Sequence, residues 1–178
     1  MDIQPITKYG VTLRPLTHDK IEMVRQWRND PKIQQYMEYR EEITPEMQEK
    51  WFAKINESDN QFYFIIEVDG KDVGLINIKD IDYDKKEGEP GIFIWDDDYL
   101  ESDVSYRSMF SMMDFVFNTL NLNKMVIHVL NDNPRAIKYN KSYGYKLSEG
   151  QESVYNQEYT LVKETYFKKR NRIVSFFF

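Results

Sequence analysis

The sequence predicts one α/β domain built on a mixed sheet with helices on both faces. The apolar patterns follow the order β-α-α-β-β-β-α-β-α-β-β, and such alternation of strands and helices is typical of a sheet covered on both sides. The chain has 178 residues, which is enough to bury one core. It contains no internal repeat, low-complexity linker or domain break. We therefore expect a single domain over residues 1–178.

The first third of the chain predicts one strand and two helices. Residues 11–16 alternate apolar and polar side chains, as a strand does, and residues 19–29 place apolar side chains at helical spacing. The Asn-Asp-Pro sequence that follows should end this helix, with a short helical piece continuing to Met37. Thr44 and Pro45 are a good helix start, so a second helix should run to about Asn56. Its expected buried face carries Met47, Trp51 and Ile55.

The middle of the chain predicts a hairpin, a strand and a long helix. Residues 61–68 and 71–78 are rich in strand-forming residues and flank Asp69-Gly70, a strong signal for a tight hairpin. Residues 91–95 predict another strand. Residues 105–120 predict an amphipathic helix. The apolar side of that helix carries Met109, Met112, Met113, Val116, Phe117 and Leu120.

The most informative segment is residues 131–145, which reads NDNPRAIKYNKSYGY. It follows a short apolar run over residues 124–129 that predicts a buried strand. Asn133 is a good N-cap, Pro134 fits the first helical turn, and Gly144 provides a left-handed C-cap. We therefore expect a strand, a turn, a short helix and a new strand. Residues 145–147 and 158–167 complete the chain with strand character.

Composition excludes several classes of function. The net charge of −6 argues against a nucleic-acid partner, because phosphate contacts need a basic surface. The absence of cysteine excludes disulfides, thiolate metal sites and a cysteine nucleophile. Two histidines in unrelated positions predict no metal site. The N-terminus has no signal-peptide pattern and no apolar run approaches the roughly 20 residues of a membrane span, so we expect a cytoplasmic protein with no membrane contact.

The pattern N-x-N-x-x-A-I-x-x-Y-x-K-x-G-[FY] in residues 131–145 resembles the end of the acyl-CoA site in the GNAT superfamily of N-acetyltransferases. The order of elements over residues 11–167 is also similar to that family, which implies a mostly antiparallel sheet of about seven strands. The resemblance implies acetyl-CoA as co-substrate. It also implies that Tyr139 protonates the departing thiolate, the alternative being an ordinary core or surface tyrosine.

The resemblance assigns residues to the cofactor. The fourth strand, with Ile92, Phe93 and Ile94, should pair with the pantetheine arm and offer backbone N–H groups to the oxyanion. The start of the long helix should hold the pyrophosphate, and Asn133 either contacts the pantetheine arm or only caps its helix. The helix-start residues are Val104, Ser105, Tyr106 and Arg107.

One loop departs from the family pattern. The usual [QR]-x-x-G-x-[GA] is replaced by LESDVS over residues 100–105, and Asp103 stands where the first glycine would be. Glycine there would let the backbone approach a phosphate closely. Either a variant loop binds acetyl-CoA or the site has lost its cofactor. We favour the variant loop, because the 131–145 segment is retained in full. A simple helix-cap role for Asp103 agrees with both alternatives.

The resemblance also implies a base near the fourth strand. Glu89 is the best match and Glu87 the next, the alternative being glutamates of a solvated loop. His128 is expected to be a packed strand residue rather than a base. Because no cysteine exists to carry an acyl group, we expect direct attack of the amine in a ternary complex.

The acceptor end should follow the first helix. The pattern WRN-x-P…M over residues 27–37 is similar to GNAT enzymes that acetylate nucleotide-linked amino sugars, including flagellin sialic-acid precursors. It implies a small-molecule amine as substrate, bound by Arg28, Asn29, Tyr36 and Met37. Alternatively, Arg28 and Asn29 cap the first helix and pair with Asp30.

Two other functions stay open. The chain could acetylate protein N-termini, as ribosomal-protein alanine acetyltransferases do, or be a non-catalytic binding module on this scaffold. The tail KKRNRIVSFFF is unusually apolar at its end. We expect Phe176, Phe177 and Phe178 to dock on a second copy of the chain, which would give a homodimer, or to cover a groove.

Overall fold

The computed structural model describes residues 3–37 and 39–177. Within them, no helix combines the length and apolarity needed to cross a bilayer. The strands are β1 Ile6–Lys8, β2 Val11–Pro15, β3 Phe62–Val68, β4 Lys71–Asp82, β5 Glu87–Ile94, β6 Lys124–Leu130, β7 Lys146–Leu147 and β8 Asn156–Val162. The helices are α1 Ile21–Asn29, α2 Pro31–Gln34, α3 Pro45–Asn56, α4 Asp97–Leu100, α5 Val104–Asn118, α6 Pro134–Tyr143 and α7 Lys163–Phe177.

The described strands hydrogen-bond in the order β1-β2-β3-β4-β5-β6-β8-β7. β2 is antiparallel to β1 and β3, and β8 is antiparallel to β6 and β7. β5 and β6 are parallel and pair Glu87 with Lys124 and Gly88 with Met125. The predicted mixed, mostly antiparallel sheet is confirmed, and the short strand β1, which the sequence analysis did not predict, extends its edge.

Tight turns and caps lie where the sequence predicts them. Asp69 and Gly70 both have positive φ, at 51° and 79°, as the two-residue turn between β3 and β4 requires. At the start of α3, the side-chain oxygen of Thr44 accepts the N–H of Met47. β5 begins at Glu87, earlier than the predicted residue 91, so Glu87 and Glu89 are strand residues and not loop residues.

One compact unit consists of Met1–Asn77 and Gly91–Met112. Its core contains Ile21, Val24 and Trp27 of α1, as the helical spacing predicts. The predicted burial of Met47 is wrong, because its side chain is 39% exposed. Gln48 takes the buried position instead, and its side-chain amide nitrogen Nε2 donates to the carbonyl of Ile21 at 2.8 Å. That hydrogen bond removes the cost of burying a polar side chain.

The other compact unit consists of Ile78–Pro90 and Met113–Phe178. The strand predicted for residues 158–167 ends at Val162, and the chain continues as helix α7. Two contacts turn the chain here: the N–H of Lys163 donates to the carbonyl of Asn123 at 2.9 Å, and its Nζ donates to that of Phe117 at 2.6 Å. Tertiary contacts therefore override the strand propensity of Tyr166 and Phe167.

Helix α5 contributes to both units, and its apolar side is buried as predicted, at Met109, Met112, Met113, Val116 and Phe117. The helix ends at Asn118, so Leu120, which was predicted to belong to it, lies just beyond its end and is also buried. The prediction that the aromatic tail docks on another surface is not tested. Phe178 lies outside the described residues, as do the side chains of Phe176 and Phe177.

Candidate active site

Helix α6 has the local geometry that residues 131–145 predict. The side chain of Asn133 accepts the N–H of Ala136 at 3.0 Å, and Pro134 opens the first turn. Gly144 ends the helix with φ of 106°. A Cβ at Gly144 would lie 2.8 Å from Cγ2 of Thr165, so both the backbone conformation and the packing require glycine. The two caps fix the position of α6, and Tyr139 is a half-buried residue of this helix.

A cluster of tyrosines surrounds that position. The hydroxyl of Tyr143 donates a hydrogen bond to the hydroxyl of Tyr139 at 2.9 Å, and the rings meet edge to face with centroids 5.1 Å apart. Tyr143 and Tyr145 are buried. The Tyr145 hydroxyl has no hydrogen-bond partner among the described residues. Burial, and to a lesser degree Tyr139 and Glu89, raise the pKa of Tyr145 well above its ordinary value, which keeps it neutral.

Glu89 lies on β5 with an ammonium group and an imidazole beside its carboxylate. Oε1 is 3.5 Å from Nζ of Lys79, and Oε2 is 3.4 Å from Nδ1 of His128. The expectation that His128 is packed is wrong, because its side chain is 38% exposed and faces Glu89. Glu87 is instead held in a close ion pair, 2.5 Å from Nζ of Lys124. Among the described residues, no group of three or more side chains could hold a metal ion.

The edge of β5 beyond Gly88 has no strand pairing with β6 in the described part of the chain. On its other side, β5 approaches β4 so closely that a Cβ on Gly74 would collide with the carbonyl oxygen of Phe93. Ile94 is buried and Ile92 and Phe93 are half-buried. A stretch of β5 without a strand partner on that side is what strand-like pairing with a pantetheine arm requires, so residues 92–94 stay the candidates for that contact.

The start of α5 shows how the loop without glycine is built. Ser102 caps it, because its Oγ accepts the N–H of Val104 at 3.2 Å. Asp103 instead pairs with Nε of Arg107 at 3.0 Å. Arg107 also donates to the carbonyls of Tyr9 and Gly10. The aspartate charge is thus offset within one helical turn, and the helix N-terminus at Val104, Ser105 and Tyr106 keeps the positive dipole end that suits a phosphate.

Arg28 lies against an aromatic surface of the first unit, which is the one formed by Met1–Asn77 and Gly91–Met112. Its guanidinium is 5.3 Å from the ring centroid of Trp51, whose ring meets Tyr63 edge to face. Burial lowers the pKa of Arg28, and Tyr63 acts in the opposite direction. Within the described residues, Arg28 forms no salt bridge and no hydrogen bond of its side chain. A half-buried cation without a carboxylate partner is unusual, because its desolvation is not compensated.

The residues that follow Arg28, Asn29 and Asp30, use their side chains in hydrogen bonds within the protein. The side-chain amide of Asn29 makes two hydrogen bonds of 2.9 Å with the backbone of Ile43. Asp30 caps α2 and accepts the indole N–H of Trp95 at 3.1 Å. The structure therefore does not pair Arg28 with Asp30. Tyr36 is 70% exposed, which excludes a core role for it, and Met37 is half-buried.

A cavity of about 660 Å³ lies in the same unit. The side chain of Arg28 does not line it, because it faces Trp51 from another side of α1. The residues that line the cavity are Met23, Arg25, Gln26, Trp27, Asn29, Asp30, Asp72 and Trp95.

Sequence reasoning missed two members of these clusters. Tyr143 follows Tyr139 by four residues on a helix, a spacing that places side chains on one face and that could have identified the pair. The proximity of His128 to Glu89 depends on how β5 and β6 pair, and no local signal in the sequence encodes that register.

The comparisons with known proteins agree with this geometry. The family model described as an acetyltransferase (GNAT) domain matches residues 11–146. The spermidine N(1)-acetyltransferase of Escherichia coli K12 is 27% identical over 140 residues, covering 78% of this chain and 74% of that protein.

Two solved structures share the fold. The spermidine N-acetyltransferase of Vibrio cholerae, in complex with CoA and spermine, has a TM-score of 0.78 at 21% identity, covering 89% of this chain and 98% of that one. FdhC, a nucleotide-linked sugar GNAT, has a TM-score of 0.79 at 18% identity, covering 98% of this chain and 97% of that one.

Proposed function

The chain belongs to the GNAT acetyltransferase family and is an acetyl-CoA-dependent N-acetyltransferase, and from this premise we propose that it acetylates the amine of a nucleotide-linked amino sugar. The observation that carries the proposal is Arg28. This guanidinium lies on Trp51 without a carboxylate partner among the described residues. Burial lowers the pKa of Arg28, but an arginine guanidinium stays charged at neutral pH even so.

An anionic acceptor explains that cation. A guanidinium fork binds phosphate oxygens with two parallel hydrogen bonds, and Trp51 and Tyr63 offer aromatic faces beside it. Tyr36 is exposed and Met37 half-buried beyond the end of α1, and we assign both to the sugar or base end of the acceptor. Asn29 would act indirectly, by holding Ile43 in place.

A polyamine is the second candidate acceptor, because the Escherichia coli relative is named a spermidine acetyltransferase. A polycation needs carboxylates around its ammonium groups, and Arg28 would repel it. The deciding experiment compares kcat/KM for a nucleoside-diphosphate-linked amino sugar, for spermidine and for a peptide with an N-terminal alanine. We expect the nucleotide sugar to be preferred at least about 100-fold, since one uncompensated buried charge costs several kcal/mol. Preference for spermidine or the peptide would overturn the proposal.

Replacing Arg28 by methionine tests the acceptor site directly. We expect KM for the nucleotide sugar to rise about 10- to 100-fold with little change in KM for acetyl-CoA, because a charge-assisted contact to phosphate is lost. Steady-state kinetics with each substrate varied in turn measure this. Arg14→Met is the matched control, since Arg14 is already paired with Glu67. Equal effects of the two changes would contradict a phosphate contact by Arg28.

Glu89 and Tyr139 are the residues we propose for proton transfer. Glu89 accepts a proton from the attacking amine, directly or through water, and His128 stands beside it to share that proton. Tyr139 protonates the thiolate as the carbon–sulfur bond breaks. Ile92, Phe93 and Ile94 bind the pantetheine arm, the α5 start from Val104 to Arg107 binds the pyrophosphate, and Asn133 caps the helix that carries Tyr139.

Glu89→Gln should lower kcat/KM about 100-fold at neutral pH, because the amide cannot accept the proton. The loss should shrink as pH rises, since more of the amine is then already deprotonated. Glu87→Gln is the control, because Glu87 is neutralised by Lys124 and has no proposed proton to accept. A pH-rate profile of both variants decides between them. If the Glu87 variant lost more activity than the Glu89 variant, the assignment of the base would be wrong.

A further inference from the structure

Tyr143 contacts the proposed acid through its hydroxyl and through the edge of its ring. It lies one helical turn after Tyr139, and its hydroxyl donates to that of Tyr139 at 2.9 Å. The contact uses a lone pair of the Tyr139 oxygen and does not consume the single Tyr139 proton. Tyr143 is 1% exposed, so surrounding packing fixes its ring and thereby the direction of its hydroxyl.

We propose that Tyr143 is a positioning residue that strengthens Tyr139 as the general acid, an inference that rests on the proposed role of Tyr139. As the amine nitrogen bonds to the acetyl carbon and the carbon–sulfur bond breaks, sulfur takes the proton of Tyr139. Tyr139 becomes a phenolate, and the Tyr143 hydroxyl keeps its own proton while donating to that anion. The phenolate then regains a proton from water, and the amine proton leaves through Glu89.

This hydrogen bond strengthens during the reaction. A donor aimed at a neutral hydroxyl gains little, whereas the same donor aimed at an anion is roughly twice as strong. Only interactions that strengthen in the transition state raise kcat. The surroundings make such help necessary, because Tyr143 and Tyr145 are buried and a phenolate in low dielectric is costly unless a donor compensates it.

Phenylalanine at position 143 removes the hydroxyl and keeps the ring. We expect Tyr143→Phe to lower kcat about tenfold or more, with KM for acetyl-CoA unchanged, because a hydrogen bond to a charged oxygen is lost. In a Tyr139→Phe background the same change should have no further effect on kcat, because the proton donor that it serves is already gone. The assay follows CoA thiol release with a nucleoside-diphosphate-linked amino sugar, or with spermidine if wild-type enzyme turns over only that.

Tyr166→Phe is the matched control. Tyr166 is also fully buried and also donates its hydroxyl, at 2.9 Å, but α7 carries it and the acceptor is Asp114, which has no proposed catalytic role. We expect this variant to lose stability, measured by thermal unfolding, and to keep its kcat. In the Tyr139→Phe background, Tyr166→Phe should change kcat by the same factor as it does in the wild-type enzyme.

The outcomes separate the two proposals. If Tyr139→Phe keeps wild-type kcat, the acid role is wrong and the role of Tyr143 falls with it. If Tyr139→Phe is impaired while Tyr143→Phe is not, or if the two losses multiply, the acid role stands and the positioning role is overturned. A loss of kcat by Tyr166→Phe equal to that of Tyr143→Phe would also overturn it, because the effect would then be a general one of deleting buried hydroxyls.

Discussion

Tyr139→Phe is expected to lower kcat by about 100- to 1000-fold, within the range that a positioned general acid contributes. A thiolate leaving group must otherwise depart unprotonated or take its proton from water. KM for acetyl-CoA should change little, because phenylalanine keeps the ring. Steady-state kinetics and product analysis by mass spectrometry measure the effect.

Tyr155→Phe is the control for this substitution. Tyr155 is 57% exposed and its hydroxyl donates to Asp132, so its removal should leave kcat unchanged. Thermal unfolding of both variants separates a chemical effect from a loss of fold. Activity of Tyr139→Phe within a fewfold of wild type would exclude the acid role, and absence of any turnover by the wild-type protein would favour a binding module.

Asp114→Ala is expected to reduce the free energy of unfolding by about 3–5 kcal/mol, because it leaves a largely buried cation without its partner. Asp114 is buried and accepts hydrogen bonds from Tyr166 at 2.9 Å and from Arg170 at 2.7 Å. The melting temperature should fall by about 6–20 °C for a chain of this size. Urea unfolding with a linear extrapolation provides the free energy.

The matched control for this prediction is Asp132→Ala. Asp132 also accepts a tyrosine hydroxyl, at 2.8 Å from Tyr155, but on an exposed site. Its loss should stay within about 0.5 kcal/mol. Removing Arg170 together with Asp114, as Arg170→Met, should recover part of the stability, since no unpaired charge then remains. A loss below about 1 kcal/mol for Asp114→Ala would mean that the charge pair anchors α7 weakly.

Local chemistry explains how much of the fold could be predicted. The β3–β4 turn, the start of α3 and both ends of α6 depend on residues adjacent in the chain, and all were predicted correctly. The first residues of α7, 163–167, were predicted as strand, because the stability of this helix comes from contacts such as that of Tyr166 with Asp114, which are distant in sequence. Gln48 could not be predicted as buried, because its partner is the backbone of Ile21 on another helix.

In the candidate site too, features that depend on neighbouring residues could be predicted, and features that depend on contacts distant in sequence could not. The position of Tyr139 on a capped helix follows from the sequence, and the offset of the Asp103 charge by Arg107 obeys a helical spacing that the sequence already contains. The contrast between Glu87, bound to Lys124, and Glu89, beside His128, needs the register of two strands that are far apart in the chain. Likewise, nothing local indicates that Arg28 lacks a carboxylate partner in the described part of the chain.

The aromatic surface around Arg28 has a spectroscopic consequence. The three tryptophans of the chain, Trp27, Trp51 and Trp95, all lie in the first unit, and the rings of Trp27 and Trp95 stack with centroids 5.6 Å apart. Selectively excited indole emission therefore originates in this unit. An acceptor that reaches Trp51 should change that emission, so binding of the acceptor could be followed by direct optical titration.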